Sequence, residues 1–235
     1  MLAQAFGAFR ADPGITVFAA GVSNSQETRP EEFQRERDLL LSCFESFHGN
    51  RFVYFGSCGV ANDPAALSLY LLHKLEMERI VISRPEGIVF RLPQVVGNTR
   101  NSHTLTNFLR DRILKKEPFQ VWSEAERNLI DIEDVAAIAR AFLEKDDIPG
   151  DRTYSIASEK SLRMIEIVRI FERTLGVSAR FESLPKGDPL QIDASEALRV
   201  AHALGMDLGG NYAERVIRKY YSQYSVTPGI MPIST

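Results

Sequence analysis

Two apolar runs, Phe52-Val53-Tyr54-Phe55 and Ile88-Val89-Phe90, limit the fold most. They place strands over Arg51 to Gly56 and over Gly87 to Leu92, the second ended by Pro93 and Gly97. A third run, Ile15-Thr16-Val17-Phe18-Ala19-Ala20-Gly21, has the same character and ends in a small-residue turn. Helical patterns separate the runs. Pro30 to Phe47 is amphipathic, with Phe33, Leu39, Leu40 and Cys43 expected to face inward, and Leu67 to Ile80 forms the next helix. Leu2 to Phe9 reads as a short helix stopped by Asp12-Pro13-Gly14. The spacing predicts further helices over Thr104 to Leu114 and Ile132 to Leu143, with Asp131 suited to the start of the second. A short strand is expected over Pro118 to Trp122. The alternation predicts an α/β fold built on a doubly wound parallel sheet.

The pattern changes after Pro149-Gly150. Tyr154 to Ala157 and Ala179 to Glu182 read as short strands, and Ser161 to Leu175 as a strongly periodic helix closed by Gly176. Ser195 to Leu204 and Ala213 to Tyr221 are further helices. The expected division is residues 1–150 for the sheet domain, with 93–118 contributing to the second lobe, 151–225 for a small α+β lobe, and 226–235 for a tail.

With 235 residues, 44% of them apolar and 25% charged, the chain can bury a sizeable core. A net charge of −3 favours neither nucleic acid nor an anionic membrane as partner. Cys43 and Cys58 lack metal-ligand spacing, and His48, His103 and His202 add none, so no metal site is expected. Reduced thiols fit a cytoplasmic location. No apolar run approaches the roughly 18 residues of a membrane helix, and the start Met1-Leu2-Ala3-Gln4-Ala5-Phe6 lacks the basic region of a signal peptide.

The chemistry concentrates at Tyr70-Leu71-Leu72-His73-Lys74, with Ser57 thirteen residues upstream. Four residues apart on a helix, Tyr70 and Lys74 share a face. A nearby ammonium lowers the pKa of a phenol and makes it an acid/base near neutral pH. Ser57 ends an apolar strand, where its hydroxyl would polarise a substrate oxygen. Convergence of the three points to proton and hydride chemistry on an alcohol or ketone. The bland alternatives are an exposed helix for Tyr70 and Lys74, and a local turn bond for Ser57.

Five stretches in this order resemble the extended short-chain dehydrogenase/reductase superfamily, and within it the nucleotide-sugar epimerase/dehydratase family. Ala19-Ala20-Gly21 is similar to the family's turn beside the cofactor. Ser57-Cys58-Gly59-Val60 and Tyr70 to Lys74 are similar to its Ser/Thr-x-x-Val and Tyr-x-x-x-Lys signatures. Arg91 to Gly97 and Arg127 to Val135 resemble its two later signatures. The resemblance implies a Rossmann-like domain with a small substrate lobe, and NAD or NADP as hydride carrier. It implies Tyr70 as acid/base, Lys74 as its pKa-lowering partner and holder of the nicotinamide ribose, and Ser57 as donor to the reacting oxygen. Ala19, Ala20, Gly21, Leu92 and Pro93 would line the cofactor, and Gln94, Asn98 and Thr104 the sugar. Arg127 would pair with the nucleotide diphosphate, against the alternative of a surface ion pair with Glu124 or Glu126. The resemblance also implies a homodimer packed through the two long helices, with Leu71, Leu72 and Leu75 at the contact, and a place in surface-polysaccharide synthesis.

The sequence departs from that pattern in several places. It contains no Gly-x-Gly-x-x-Gly turn, and Met1 to Phe6 resembles the helix that normally follows one. The simplest expectation is a start set about ten residues late. Asp12-Pro13-Gly14 stands where two further strand–helix units are usual, so the residue that reads the adenosine ribose is missing. The gap between Ser57 and Tyr70 is short, and the helix after Pro30 carries Glu32, Arg35 and Glu36 where an asparagine is frequent. These departures keep open a non-catalytic binding or regulatory member. His73 falls on another helix face from the pair and is expected to be solvated or dimer-facing. Ser23-Asn24-Ser25 reads as a polar turn that could also reach the substrate, and Arg140, Arg163, Arg169 and Arg173 as solvated.

Overall fold

The computed structural model describes residues 1–61, 67–145 and 152–226. Among these, a parallel sheet of four strands runs in the order β1 (Ile15–Phe18), β2 (Arg51–Ser57), β3 (Gly87–Leu92) and β8 (Thr153–Ser155). Helices α2 (Pro30–Glu45) and α3 (Leu69–Ile82) provide the crossovers β1 to β2 and β2 to β3. The apolar runs form strands, as expected, and are buried on both faces. Phe52 and Tyr54 of β2 and Val89 of β3 pack against Leu40 and Phe44 of α2 and Met77 and Val81 of α3. Their neighbours Val53, Phe55, Ile88 and Phe90 face the opposite core with Phe6 and Phe142. Each fully buried side chain of this kind contributes roughly 1.5–3 kcal/mol.

α5 (Ile132–Leu143) covers that second face, and α1 (Leu2–Ala5) packs beside it. Short strands β4 (Gln94–Val96) and β7 (Leu129–Asp131) pair in parallel beyond the sheet's carboxyl edge, as do β5 (Phe119–Trp122) and β10 (Phe181–Leu184). β6 (Glu126–Arg127) pairs antiparallel with β9 (Leu162–Arg163). α4 (Leu105–Leu114), α6 (Met164–Leu175), α7 (Ser195–Ala203) and α8 (Tyr212–Tyr221) complete the lobe. Its apolar residues, including Ile167, Phe171 and Ile217, continue the cluster that contains Phe55 and Phe90. Strand 153–155, which the sequence division puts in the lobe, belongs to the main sheet through its pairing with β3.

The helix ends follow local chemistry. Ser68 Oγ accepts the Leu71 N–H at 3.3 Å, so α3 starts at Leu69 rather than Leu67. Thr104 and Asp131 cap α4 and α5 in the same way. Gly176 closes α6 at φ 69°, a conformation that favours glycine. The inward face of α2 differs from expectation. Leu39 is exposed and Cys43 half-buried, whereas Glu36 is fully buried with Leu40 and Phe44.

Candidate active site

A pocket of about 660 Å³ lies outside the carboxyl ends of β1, β2 and β3. That is where open parallel sheets take their ligands. β2 brings Ser57 to the rim, and the first two turns of α3 bring Tyr70 and Lys74. The proposed catalytic trio therefore lines one pocket. Ala19 and Gly21 follow β1, and Leu92, Pro93 and Gln94 follow β3, all on the wall. Thr104 and Arg127 line it as well. Two expected residues do not. Ala20 and Asn98, each two residues past a strand end, are exposed and outside the lining. Ser23, Ser25 and Asn101 do reach the wall.

Ser57 Oγ accepts the Gly59 N–H at 3.2 Å. The local turn bond is thus real, but it uses a lone pair and leaves the hydroxyl proton to donate. Arg127 donates to its neighbour's carbonyl, Glu126 O, at 2.6 Å and forms no ion pair among the described residues. Burial pushes its pKa down, with Asp188 opposing. A half-buried guanidinium facing a pocket without a carboxylate partner is suited to an anionic ligand.

The sequence reading missed the centre of the charge network. Glu36 projects from α2 into the space between β1, β2 and α3 and is 0% exposed. Its Oε2 accepts the Val22 N–H at 2.6 Å and lies 3.0 Å from His73 Nε2. Its Oε1 accepts Tyr54 Oη–H at 2.7 Å and Lys74 Nζ at 2.9 Å. Lys74 also donates to Tyr54 Oη at 3.0 Å. Burial pushes the Glu36 carboxyl up, but the His73 bond, the Lys74 charge and the Val22 N–H together hold it at about 2. His73 is neither solvated nor at an outer face. It is buried against Glu36 and stacked on Phe33 at 4.7 Å. The signal was available in the sequence. Phe33, Glu36, Leu40 and Phe44 are spaced 3, 4 and 4, so Glu36 occupies a position on the apolar face of α2.

This network changes the expected role of Lys74. Its ammonium lies 5.8 Å from the Tyr70 ring centre and 5.2 Å from that of Tyr54. Burial lowers its pKa and Glu36 opposes that shift. Tyr70 is not lowered by Lys74. Burial first, and the Glu36 charge second, push it up to about 12. A turn further along α3, Glu78 receives two bonds from Arg91, at 2.9 and 2.7 Å, while burial raises its pKa.

The matching family model covers residues 2–157 and is described as the NAD dependent epimerase/dehydratase family. The chain belongs to this family. No curated protein matches it. Solved structures of similar fold include UDP-glucuronic acid 4-epimerase from Bacillus cereus in complex with UDP-glucuronic acid and NAD. There the identity is 16%, the TM-score 0.69, and the match covers 92% of this chain and 78% of that one. dTDP-glucose 4,6-dehydratase from Bacillus anthracis in complex with NAD matches at 15% identity and TM-score 0.69, over 90% of this chain and 72% of that one. UDP-N-acetylglucosamine 4-epimerase from Methanobrevibacter ruminantium, in complex with UDP-N-acetylmuramic acid, matches at 15% identity and TM-score 0.69, over 92% and 80%. Family membership and these folds agree with the doubly wound sheet.

Proposed function

We propose that this family member is an NAD(P)-dependent enzyme that epimerises or dehydrates a nucleotide-diphosphate sugar. The observation that carries the reading is the convergence of Ser57, Tyr70 and Lys74 on one carboxyl-edge pocket that extends to Arg127. The residues present fit the nicotinamide end of a dinucleotide. Lys74 places a buried ammonium at the wall, and a Cβ on Gly21 would come within 2.7 Å of that ammonium. Leu92 and Pro93 offer an apolar surface for a flat ring. The bound dinucleotide would supply the acceptor and donor of hydride.

The chain's own groups would do the rest. Tyr70, raised to about 12, rests protonated and is set to give a proton to a sugar oxygen. To act as a base Tyr70 must first be ionised, and that state requires added positive charge in the pocket. Ser57 donates to the reacting oxygen, and Arg127 forms paired bonds to the diphosphate. Gln94 and Thr104 orient the sugar between them. The exposed Leu39, Leu69 and Leu72 on the outer faces of α2 and α3 support a homodimer through these helices. We place the protein in the cytoplasm on its two unpaired thiols, with surface-polysaccharide synthesis as the setting. No described helix is long and apolar enough to cross a membrane.

Calorimetric titration with NAD⁺, NADP⁺ and UDP- or dTDP-sugars tests the reading. Binding of a dinucleotide together with a nucleotide sugar supports it. Binding of the sugar alone would return the chain to a regulatory role.

A further inference from the structure

The Glu36 carboxylate is costly to bury and is not explained by stability. Buried ion pairs add little net stability, because desolvation offsets their attraction. An apolar residue between Phe33 and Leu40 would complete the face of α2 more simply. Instead, four separate donors converge on Glu36: Val22 after β1, Tyr54 on β2, and His73 and Lys74 on α3. A carboxylate has about four acceptor positions, so this one is filled. Gly21 is the backbone counterpart. A Cβ there would lie 2.7 Å from both Glu36 Oε1 and Lys74 Nζ, so any side chain would displace the ion pair.

From this geometry we propose that Glu36 is a positioning residue: its fixed negative charge keeps Lys74 protonated and holds its ammonium at the pocket wall beside Tyr70. The proposal deepens the enzymatic reading and rests on it for its functional meaning. Lys74 is 3% exposed, a burial that strips a lone ammonium of its proton. Glu36 and Tyr54 orient it. Both contacts with Glu36, at 2.9 and 3.3 Å, go to one carboxylate, and the bond to Tyr54 uses another proton. Three protons thus meet three contacts, and a pocket ligand would take the one now spent on the longest, to Glu36 Oε2 at 3.3 Å. The other titratable or charged groups around the pair are Tyr54 on β2, Tyr70, His73 and Glu78 on α3, and Arg91 on β3, whose charge is taken up by Glu78. Glu36 is the carboxylate bonded directly to the ammonium, so it is the group whose removal should release the proton.

The test is direct titration of Lys74 in the full chain. Protein carrying ¹³C-labelled lysine is followed by NMR through its Cε resonances, with Lys74 assigned by its loss in Lys74→Met. In the wild type the Lys74 ammonium is protonated at neutral pH. In Glu36→Gln, which keeps the shape and loses the charge, it titrates at least about one pH unit lower. Glu36→Asp, which keeps the charge, restores most of the difference. An unchanged Lys74 titration in Glu36→Gln overturns the proposal. So does a neutral Lys74 at pH 7 in the wild type, a result that stands even if Glu36→Gln does not fold. The readout does not depend on turnover. A shifted Lys74 in a protein that turns over no nucleotide sugar keeps the charge relation and defeats the enzymatic reading, whereas turnover with an unmoved Lys74 does the reverse.

Discussion

Two buried carboxylates, Glu36 and Asp131, are built from nearly the same parts and serve different ends. Each accepts a tyrosine hydroxyl at 2.7 Å, from Tyr54 and Tyr220 respectively. Each meets a lysine, Lys74 at 2.9 Å and Lys219 at 2.7 Å. Asp131 explains itself by architecture. It caps α5 through the Glu133 N–H at 2.9 Å, and Lys219 and Tyr220 tie α8 to that helix start. Lys219 is also shared with Glu133 and is 43% exposed. Glu36 caps nothing. It sits mid-helix, and its lysine is 4% exposed at a pocket wall. A carboxylate that finishes a helix holds the fold. One that interrupts an apolar face to hold a buried cation is suited to chemistry.

The largest effect separates the two at once. Tyr70→Phe removes the proton donor beside the Glu36 network and should lower turnover of the nucleotide sugar by about 10²–10⁴-fold. Dinucleotide affinity and melting temperature should stay close to wild type. Unchanged turnover would remove Tyr70 as the acid/base and leave the Glu36 network without a reaction to serve.

Next comes the stability of the buried pair. Glu36→Leu leaves Lys74 without its counter-charge and should cost about 3–5 kcal/mol, most of it recovered in Glu36→Leu/Lys74→Met. The pH dependence follows from the depressed carboxyl, at about 2 against an ordinary 4.5. A folded pKa below the unfolded one gives stability that is fully present above 4.5 and is lost as pH falls from there toward 2. The loss attributable to Glu36 is about 3 kcal/mol. Urea unfolding of the wild type and the double variant across that window should show it in the first and not in the second.

Asp131→Ala should cost about 2–3 kcal/mol, from the lost cap and the buried Tyr220 hydroxyl left without its acceptor. Turnover per folded molecule should not change. A fall in turnover at constant folded fraction would show that the lobe's anchor also acts on the site.

The contrast also explains what could be read from the sequence. Apolar runs reveal strands because burial on both faces leaves no alternation, and β2 and β3 appear where expected. Asp131 and Gly176 are legible because caps depend on residues within a few positions. Tyr70 and Lys74 are legible because helical spacing alone puts them on one face. Glu36 is harder. Its partners Tyr54, His73 and Lys74 are 18, 37 and 38 residues away, and in the run Glu31 to Asp38 it reads as one more solvated charge. Choosing Leu39 and Cys43 as inward turns the expected face of α2 away from Phe44, yet Glu36, three residues before Leu39 and four before Leu40, still lies on that face, so its charge alone hid it. The raised Tyr70 pKa comes first from burial and then from Glu36 on another helix, and helical spacing shows neither.

The smallest and sharpest comparison is one hydroxyl at each carboxylate. Tyr54→Phe and Tyr220→Phe each delete a 2.7 Å bond to a buried oxygen while keeping the ring in its core. Each should cost about 1 kcal/mol in urea unfolding. They should part in turnover. Tyr54 also accepts a bond from Lys74 at 3.0 Å, so its loss frees the ammonium to shift and should lower turnover several-fold, about 1 kcal/mol in barrier height. Tyr220 touches no pocket residue among its hydrogen-bond partners, so its loss should leave turnover unchanged. Equal turnover in the two variants would mean that Glu36 alone fixes Lys74 and that Tyr54 only fills the carboxylate.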